Sequence, residues 1–363
     1  MKIILAKNAL SGPLQVLAKV INNKSIYPIL ENFLFEIKGV SVRVVASDNE
    51  TSMSTCLQTA EVEGEGQICI PARSFLEGIK DIPEQPISIT IDDLEITVGY
   101  QNGEFKMIGQ KAEEYPMTPN IEGEEFTISG KDLASGIGNT LFATANDELR
   151  PVLNGVYFDT RKDVVGDNLV FVGTDGQRLI TCQKKIDTNG VQSFILPKKP
   201  SALVRSFAED EKDIKIKTDG KNALFAGGMY ELTCRLIDGF YPKWEGVVRK
   251  DSKFRMDVDR NALINALKRV SVFASSSGMV RFDVSENSLK VQGENPDFSV
   301  SAKEELSCQC NGNISIGFKA SYLIEMLSNL SCEMVGIGME EPSLAGVLGD
   351  GCTMGILMPM ILQ

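Results

Sequence analysis

Asn261-Ala262-Leu263-Ile264-Asn265-Ala266-Leu267 is the third appearance of one pattern in this chain. Lys131-Asp132-Leu133-Ala134-Ser135-Gly136-Ile137 and Asn8-Ala9-Leu10-Ser11-Gly12-Pro13-Leu14 come before it. Leu10, Leu133 and Leu263 hold the same place in each, 123 and then 130 residues apart. Each stretch spaces its apolar residues as one face of a helix does, and each follows a short run that reads as a strand. At 363 residues the chain is too long for one ordinary core, and a motif recurring on this scale marks an internal repeat.

Working outward, each third continues with a strand pair. The pairs are Asn32–Ile37 with Ser41–Asp48, Asn154–Asp159 with Asn168–Asp175, and Val280–Val284 with Ser288–Gly293. Alternation of apolar and polar residues, with many β-branched side chains, marks half-buried strands. Glu286-Asn287 reads as a hairpin turn in the third pair. A second helix follows in each third, at Ile70-Pro71-Ala72-Arg73, Leu196-Pro197-Lys198-Lys199 and Gly317-Phe318-Lys319-Ala320. Proline suits a helix start because its missing N–H has no partner there anyway. Strands such as Ile87–Ile91 and Ile214–Lys217 close each unit. The expected fold is therefore α+β: three repeated domains, each of mostly antiparallel sheets with two helices on one face. Linkers are expected near 116–125 and 247–252, giving domains 1–122, 123–248 and 249–363.

The chain has no histidine, which removes the commonest general base, the histidine-dependent nucleophile systems and the commonest metal ligand. Carboxylate, lysine or tyrosine chemistry stays open, with Asp92 and Asp93 or Asp175 as the carboxylate candidates. Asp92-Asp93 reads better as a turn, and no phosphate-binding or dinucleotide fingerprint is present. No catalytic site, cofactor or metal is expected. The eight cysteines are scattered, and Cys308 and Cys310 are the one close pair, too few for a zinc site. Scattered cysteines, a short N-terminal apolar run broken by Lys7, and no apolar run long enough to span a bilayer point to the cytoplasm and away from membranes.

The net charge of -12 argues against nucleic acid when taken whole. Its distribution argues otherwise. The predicted helices 7–24, 72–81, 131–145, 198–208, 259–270 and 319–330 hold thirteen Lys and Arg against five Asp and Glu. A basic helical face on an acidic body would attract phosphates without reading sequence.

A series of short motifs completes the reading. They are Tyr27-Pro28-Ile29-Leu30-Glu31-Asn32, Leu153-Asn154-Gly155, Thr174-Asp175-Gly176-Gln177-Arg178-Leu179, Asp238-Gly239-Phe240-Tyr241-Pro242, Ile316-Gly317-Phe318 and Met358-Pro359-Met360. In order and spacing, over the whole chain, they resemble the bacterial beta sliding clamp family, the beta subunit of DNA polymerase III. The resemblance implies a head-to-tail homodimer, a six-domain ring around double-stranded DNA. It implies a processivity factor for DNA replication that tethers the polymerase III catalytic subunit, and it implies partnership with the clamp loader and other clamp-motif proteins.

The resemblance also assigns residues. A partner-peptide cleft would use Leu153, Thr174, Gly176, Arg178, Leu179, Pro242, Val247, Tyr322, Ile356, Met358, Pro359 and Met360. Lys24, Arg73, Lys198 and Lys199 would face DNA, and Phe105 and Met107 would meet Val272 and Phe273 across the dimer contact. Three departures stand out: Gln177 where histidine is common, the tail Ile361-Leu362-Gln363, and the acidic Asp147 beside Asn146 in a loop that can contact DNA.

Overall fold

The computed structural model describes residues 1–22, 25–248 and 252–362. The first third runs β1 (Lys2–Ala6), α1 (Lys7–Leu17), β2 (Asn32–Lys38), β3 (Ser41–Ser47), β4 (Thr51–Leu57), β5 (Glu61–Glu63), β6 (Gly66–Pro71), α2 (Ala72–Lys80), β7 (Pro86–Asp92), β8 (Glu95–Tyr100) and β9 (Gly103–Ile108). The second runs β10 (Glu124–Ser129), α3 (Gly130–Leu141), β11 (Gly155–Asp159), α4 (Lys162–Val165), β12 (Leu169–Thr174), β13 (Arg178–Lys184), β14 (Phe194–Pro197), α5 (Lys198–Ala208), β15 (Asp213–Thr218), β16 (Asn222–Gly227) and β17 (Tyr230–Arg235). The third runs β18 (Phe254–Asp259), α6 (Arg260–Val270), β19 (Met279–Val284), β20 (Ser288–Asn295), β21 (Val300–Cys310), β22 (Ile314–Lys319), α7 (Ala320–Ser328), β23 (Met334–Met339), β24 (Gly346–Gly349) and β25 (Thr353–Leu357).

The same order recurs each time: strand, helix, a block of strands, helix, three strands. Leu10, Leu133 and Leu263 are fully buried, so the repeated leucine is a core residue in all three copies. Helix starts are set locally where the sequence supplies a cap. Asp259 accepts the Ala262 N–H at 2.6 Å, and Ser129 accepts the Asp132 N–H at 3.1 Å.

The chain folds as two compact units. One comprises Met1–Ala134 and Ala202–Leu236, and the other Ser135–Ser201 and Ile237–Gln363. In the first unit a five-stranded sheet has the order β5-β1-β7-β8-β9, and an eight-stranded sheet the order β10-β15-β16-β17-β4-β3-β2-β6. Phe35 meets Phe75 of α2 edge-on at 6.0 Å in its core. In the second unit a single twelve-stranded sheet runs β14-β11-β12-β13-β25-β24-β23-β18-β21-β20-β19-β22. Its larger core gathers Leu263 and Leu267 of α6 with Phe282, Phe318 and Leu323.

The two long sheets cross repeat boundaries. β4 of the first repeat pairs with β17 of the second, Met53 opposite Leu232. β13 of the second repeat pairs with β25 of the third, Leu179 opposite Ile356. In each case the fourth strand of one repeat, the third of its inner block, is bonded to the last strand of the next repeat.

Several expectations need adjusting. The first helix ends at Leu17 rather than 24, with hydrogen-bonded turns carrying the chain to Ile21. The short helix α4 has no counterpart in the sequence reading. The turn between β7 and β8 is centred one residue late, with Asp93 at a φ of 50° and Asp92 still in the strand. The hairpin at Glu286-Asn287 forms as read, closed by the Ser285 N–H on the Ser288 carbonyl. All eight cysteines are free; Cys56 and Cys352 are exposed, and Cys69, Cys182, Cys234 and Cys308 are buried. Among the described residues no group of three metal-ligating side chains exists, and no helix is long and apolar enough to cross a membrane.

Candidate functional site

An open cleft of about 540 Å3 lies in the second unit, over the join between β13 and β25. Its floor is Leu153, Leu179 and Ile356, all buried. Its rim carries Val247 and Met358, which are 54% and 49% exposed. An apolar hollow with a few placed polar groups is the usual form of a binding site.

One end is built by the turn from Thr174 to Arg178. Asp175 Oδ1 accepts the N–H groups of Gln177 and Arg178 at 2.9 and 3.0 Å, and Thr174 Oγ1 accepts the Gly176 N–H at 3.1 Å. Gly176 takes a φ of 89°, where glycine is favoured. The Arg178 side chain is buried at 7% exposure, and its charge is fully engaged. It bonds to Asp175 Oδ2 at 3.1 Å, to the Phe142 carbonyl at 2.9 Å, and to Glu325. Its guanidinium also lies 4.2 Å from the Tyr322 ring, and Lys319 Nζ lies 4.3 Å from the same ring. The cation is thus held rigidly and shows only part of itself to the cleft.

A side wall comes from 241–247. Tyr241 stacks on Tyr157 at 4.4 Å with an interplanar angle of 8°, and its hydroxyl donates to the Val172 carbonyl at 3.4 Å. Burial pushes both phenols above their ordinary pKa. Trp244 Nε1 donates to Asp159 Oδ2 at 2.8 Å. The Asp159 side chain is fully buried, which by itself would raise its pKa. Bonds from Arg161 and Trp244 outweigh burial and hold the carboxyl below the usual range.

Beside the turn from Thr174 to Arg178, where a Cβ on Gly176 would meet Arg150 Nη1 at 3.1 Å, Asn154 and Asp147 exchange hydrogen bonds of 2.9 Å, and Arg150 Nε donates to Asp147 Oδ2 at 2.8 Å. That Arg150 bond is the main reason the Asp147 carboxyl sits below its ordinary pKa. Asp147, a departure from the family pattern, therefore has a local partner, while Asn146 is exposed.

Of the residues assigned to the cleft, Leu153, Thr174, Gly176, Arg178, Leu179, Pro242, Val247, Ile356 and Met358 line it. Tyr322, Pro359 and Met360 do not. Tyr322 sits behind Arg178, and Met360 turns away to bond its N–H to the Gly317 carbonyl at 2.8 Å. Sequence reasoning missed Leu149, Arg150, Val152, Tyr241 and Trp244. The available signal was Trp244 itself, the sole tryptophan, two residues after a Tyr-Pro pair.

The other assigned residues lie elsewhere. Arg73 is exposed on α2 in the first unit. Lys198 and Lys199 are half-buried at the start of α5, and burial lowers the Lys198 pKa although Asp175 opposes it. Lys24 lies outside the described residues. Phe105 and Met107 stand on β9, with the Phe105 ring against Gly78, where an added Cβ would come within 2.7 Å. Val272 and Phe273 form a 3-10 turn after α6 and are 76% and 40% exposed.

Three copies of one strand–helix unit joined through shared sheets, with an apolar cleft over one join, define the class: a clamp-fold repeat protein. Comparison with known proteins agrees. The family models for the N-terminal, central and C-terminal domains of the DNA polymerase III beta subunit match residues 1–119, 127–243 and 246–352. The chain is 27% identical to the beta sliding clamp of Pseudomonas putida and 26% identical to that of Escherichia coli K12, in both cases over the full length of both chains. Its fold matches the crystal structure of the Pseudomonas aeruginosa sliding clamp bound to griselimycin with a TM-score of 0.94, at 26% identity and full coverage of both chains. The chain belongs to the DNA polymerase III beta subunit family, the beta sliding clamps of DNA replication.

Proposed function

We propose that two copies of this chain close head to tail around duplex DNA, and that the cleft of the second unit holds peptide segments of the proteins the ring tethers. The polymerase III catalytic subunit and the clamp loader are the first of those partners, and the setting is the cytoplasm. The chain contributes a mobile anchor and no chemistry of its own. Domains at 1–122, 123–248 and 249–363 are the repeating elements of that ring.

One observation carries the reading. β4 pairs with β17, and β13 pairs with β25, so each repeat's inner block is joined to the last strand of the next. Among the described residues the third such join has no partner. β21 pairs with β20 along Val300–Ser307 and meets β18 only at Cys308–Cys310, which leaves its other edge open over the first stretch. β9 is the corresponding last strand of the first repeat and ends its sheet. An open strand edge seeks a partner. If β21 of one copy joins β9 of another, the same rule is satisfied twice and the assembly closes. Val272 and Phe273 beside β21, and Phe105 and Met107 on β9, supply the apolar contact proposed for that interface.

Charge supports the DNA-facing part. The helices α1, α2, α3, α5, α6 and α7 hold ten basic and three acidic residues in a chain of net charge -12. Arg73, Lys198 and Lys199 are the proposed phosphate contacts among them. Holding by topology needs little affinity, so the contacts can stay weak and let the ring slide.

Light scattering across a dilution series tests closure. A species of twice the 39.7 kDa chain mass is expected, and a monomer at every concentration would overturn the ring. Fluorescence anisotropy with labelled overlapping peptides covering the polymerase III catalytic subunit tests the cleft. At least one peptide should bind and be displaced by its unlabelled form; binding that survives Met358→Asp unchanged would place the site elsewhere.

A further inference from the structure

The Asp159 carboxylate is buried, yet it lines no part of the cleft. It receives Arg161 in a two-pronged pair at 2.9 and 2.7 Å, which would satisfy a buried carboxylate without further help. It nevertheless also accepts the Trp244 indole N–H at 2.8 Å. Trp244 opens the four-residue 3-10 turn Trp244–Val247, and both ends of that turn line the cleft. The turn has no side-chain cap, and its backbone bonds, Gly246 N–H to Lys243 O and Val248 N–H to Glu245 O, are 3.3 and 3.2 Å long. So short a turn has little stability of its own. Trp244 and Val248 pack against the apolar cluster of Tyr157, Val170 and Val172, and the polar ties to the sheet are the indole bond to Asp159 and a 3.4 Å contact between Arg161 and Glu245.

The first repeat provides an internal control. Leu34 pairs with Val45 as Tyr157 pairs with Val172, so Glu36 occupies in the first repeat the place of Asp159 in the second. Glu36 takes Arg43 from the strand opposite at 2.9 Å and Gln67 from the other neighbouring strand at 3.1 Å. Opposite Asp159 stands Val170 instead of an arginine. The balancing cation has moved to Arg161, two residues along the chain, whose backbone N–H also bonds to Oδ1 at 3.1 Å; the Ser193 hydroxyl reaches Oδ1 at 3.4 Å, and a tryptophan from the 241–247 segment takes Oδ2. At the first site the carboxylate bonds only to side chains of its neighbouring strands; at the second it also bonds the cleft wall.

We infer that Asp159 is a positioning residue for partner binding: through the Trp244 indole it latches the 244–247 wall in the shape that receives a peptide. The inference rests on the peptide-cleft reading. Asp159 does not touch the partner. It sets where Trp244 and Val247 stand, and so sets the affinity of the cleft. An interface anchored on a tryptophan draws much of its strength from how firmly that ring is held.

The test measures Kd by anisotropy for the tightest peptide from the polymerase III catalytic subunit, using the full dimeric chain. The proteins are the unaltered chain, Asp159→Asn, Trp244→Phe and the double variant. Each single variant should bind roughly tenfold more weakly, as expected for loss of a charge-assisted bond. The double variant should be no weaker than either single one, because both remove the same latch. As Trp244 is the only tryptophan, its emission spectrum reads the latch directly, and Asp159→Asn should shift it before any peptide is added. A merely structural role would lower the melting temperature of Asp159→Asn and leave Kd and emission unchanged; that result overturns the latch. If Asp159→Asn does not fold, Trp244→Phe decides alone, since it keeps the Asp159–Arg161 pair; unaltered Kd in that variant also overturns the proposal. Failure of every peptide to bind the unaltered chain is a separate outcome, and it removes the cleft reading together with the latch.

Discussion

The join of β4 to β17 and the join of β13 to β25 are the same construction made twice, and only one carries an apolar cleft. Both are crossed by a Tyr-Pro segment. Tyr115 donates its hydroxyl to the Val45 carbonyl at 3.4 Å, and Tyr241 donates to the Val172 carbonyl at the same distance. Both lie beside a turn of identical bonding. Asp48 accepts the N–H groups of Glu50 and Thr51 as Asp175 accepts those of Gln177 and Arg178. The cavity at the first join is the larger, about 610 Å3 against 540 Å3. Its interior, however, contains the Glu36–Arg43 pair, Gln67 and Ser54, bonded to one another. At the second join, apolar Leu153, Leu179 and Ile356 take the floor, and the buried Arg178 cation is held by Asp175 and the Phe142 carbonyl. Volume does not distinguish the two; the wetting of the floor does.

The largest expected difference comes from placing a charge on each rim. Met358→Asp should weaken peptide binding by more than about fiftyfold, since it removes an apolar anchor and leaves an uncompensated charge against the cleft. Met117→Asp, on the 94% exposed methionine of the first cavity, should leave peptide affinity unchanged by anisotropy. A loss with Met117→Asp would erase the contrast.

A smaller effect sharpens the comparison of turns. Asn49 holds the left-handed position of the first turn at a φ of 80°, and Gly176 holds it in the second. Asparagine tolerates that backbone, but a Cβ at 176 would come within 3.1 Å of Arg150 Nη1. Gly176→Asn should cost about 1 kcal/mol in urea titration, through displacement of Arg150, whereas Asn49→Gly should move stability by only a few tenths.

Below that, Tyr115→Phe and Tyr241→Phe should each cost about 0.5 kcal/mol, the worth of a long hydrogen bond. The two should match in thermal denaturation, and only Tyr241→Phe should change peptide affinity, by about twofold. Smallest is Arg43→Ala. Its side chain is 35% exposed and its ion pair is screened by solvent, so a loss of only a few tenths of a kcal/mol is expected from the same titration. A larger loss would mean that the first join depends on its charges more than its geometry suggests.

Much of the fold was legible because it is local and repeated. Leu10, Leu133 and Leu263 announce three equivalent helices, and alternation marks the flanking strands within a residue or two. The fusion of sheets across repeats was not legible, because the pairing of β4 with β17 joins strands more than 170 residues apart with nothing local to specify it. The cleft floor was reached through resemblance alone: Leu179 and Ile356 look like ordinary core residues until their strands are seen side by side. Asp159 was invisible for a different reason. A carboxylate at the end of a strand looks like a solvated turn residue, and one of the groups that close over it, Trp244, lies 85 positions later in the chain.

The cysteines offer a practical reading of the same geometry. Cys56 and Cys352 are exposed, whereas burial pushes the Cys69 thiol up to about 12 and raises Cys182, Cys234 and Cys308 as well. Only the thiolate reacts quickly with a maleimide dye. Cys56 lies on β4 and Cys352 immediately precedes β25, so each join already carries its own attachment point. With Cys310 and Cys332 replaced by serine, and Cys56 or Cys352 replaced in turn, a dye at the remaining exposed thiol would report one join at a time: the join that only holds the chain together, or the join proposed to receive partner peptides.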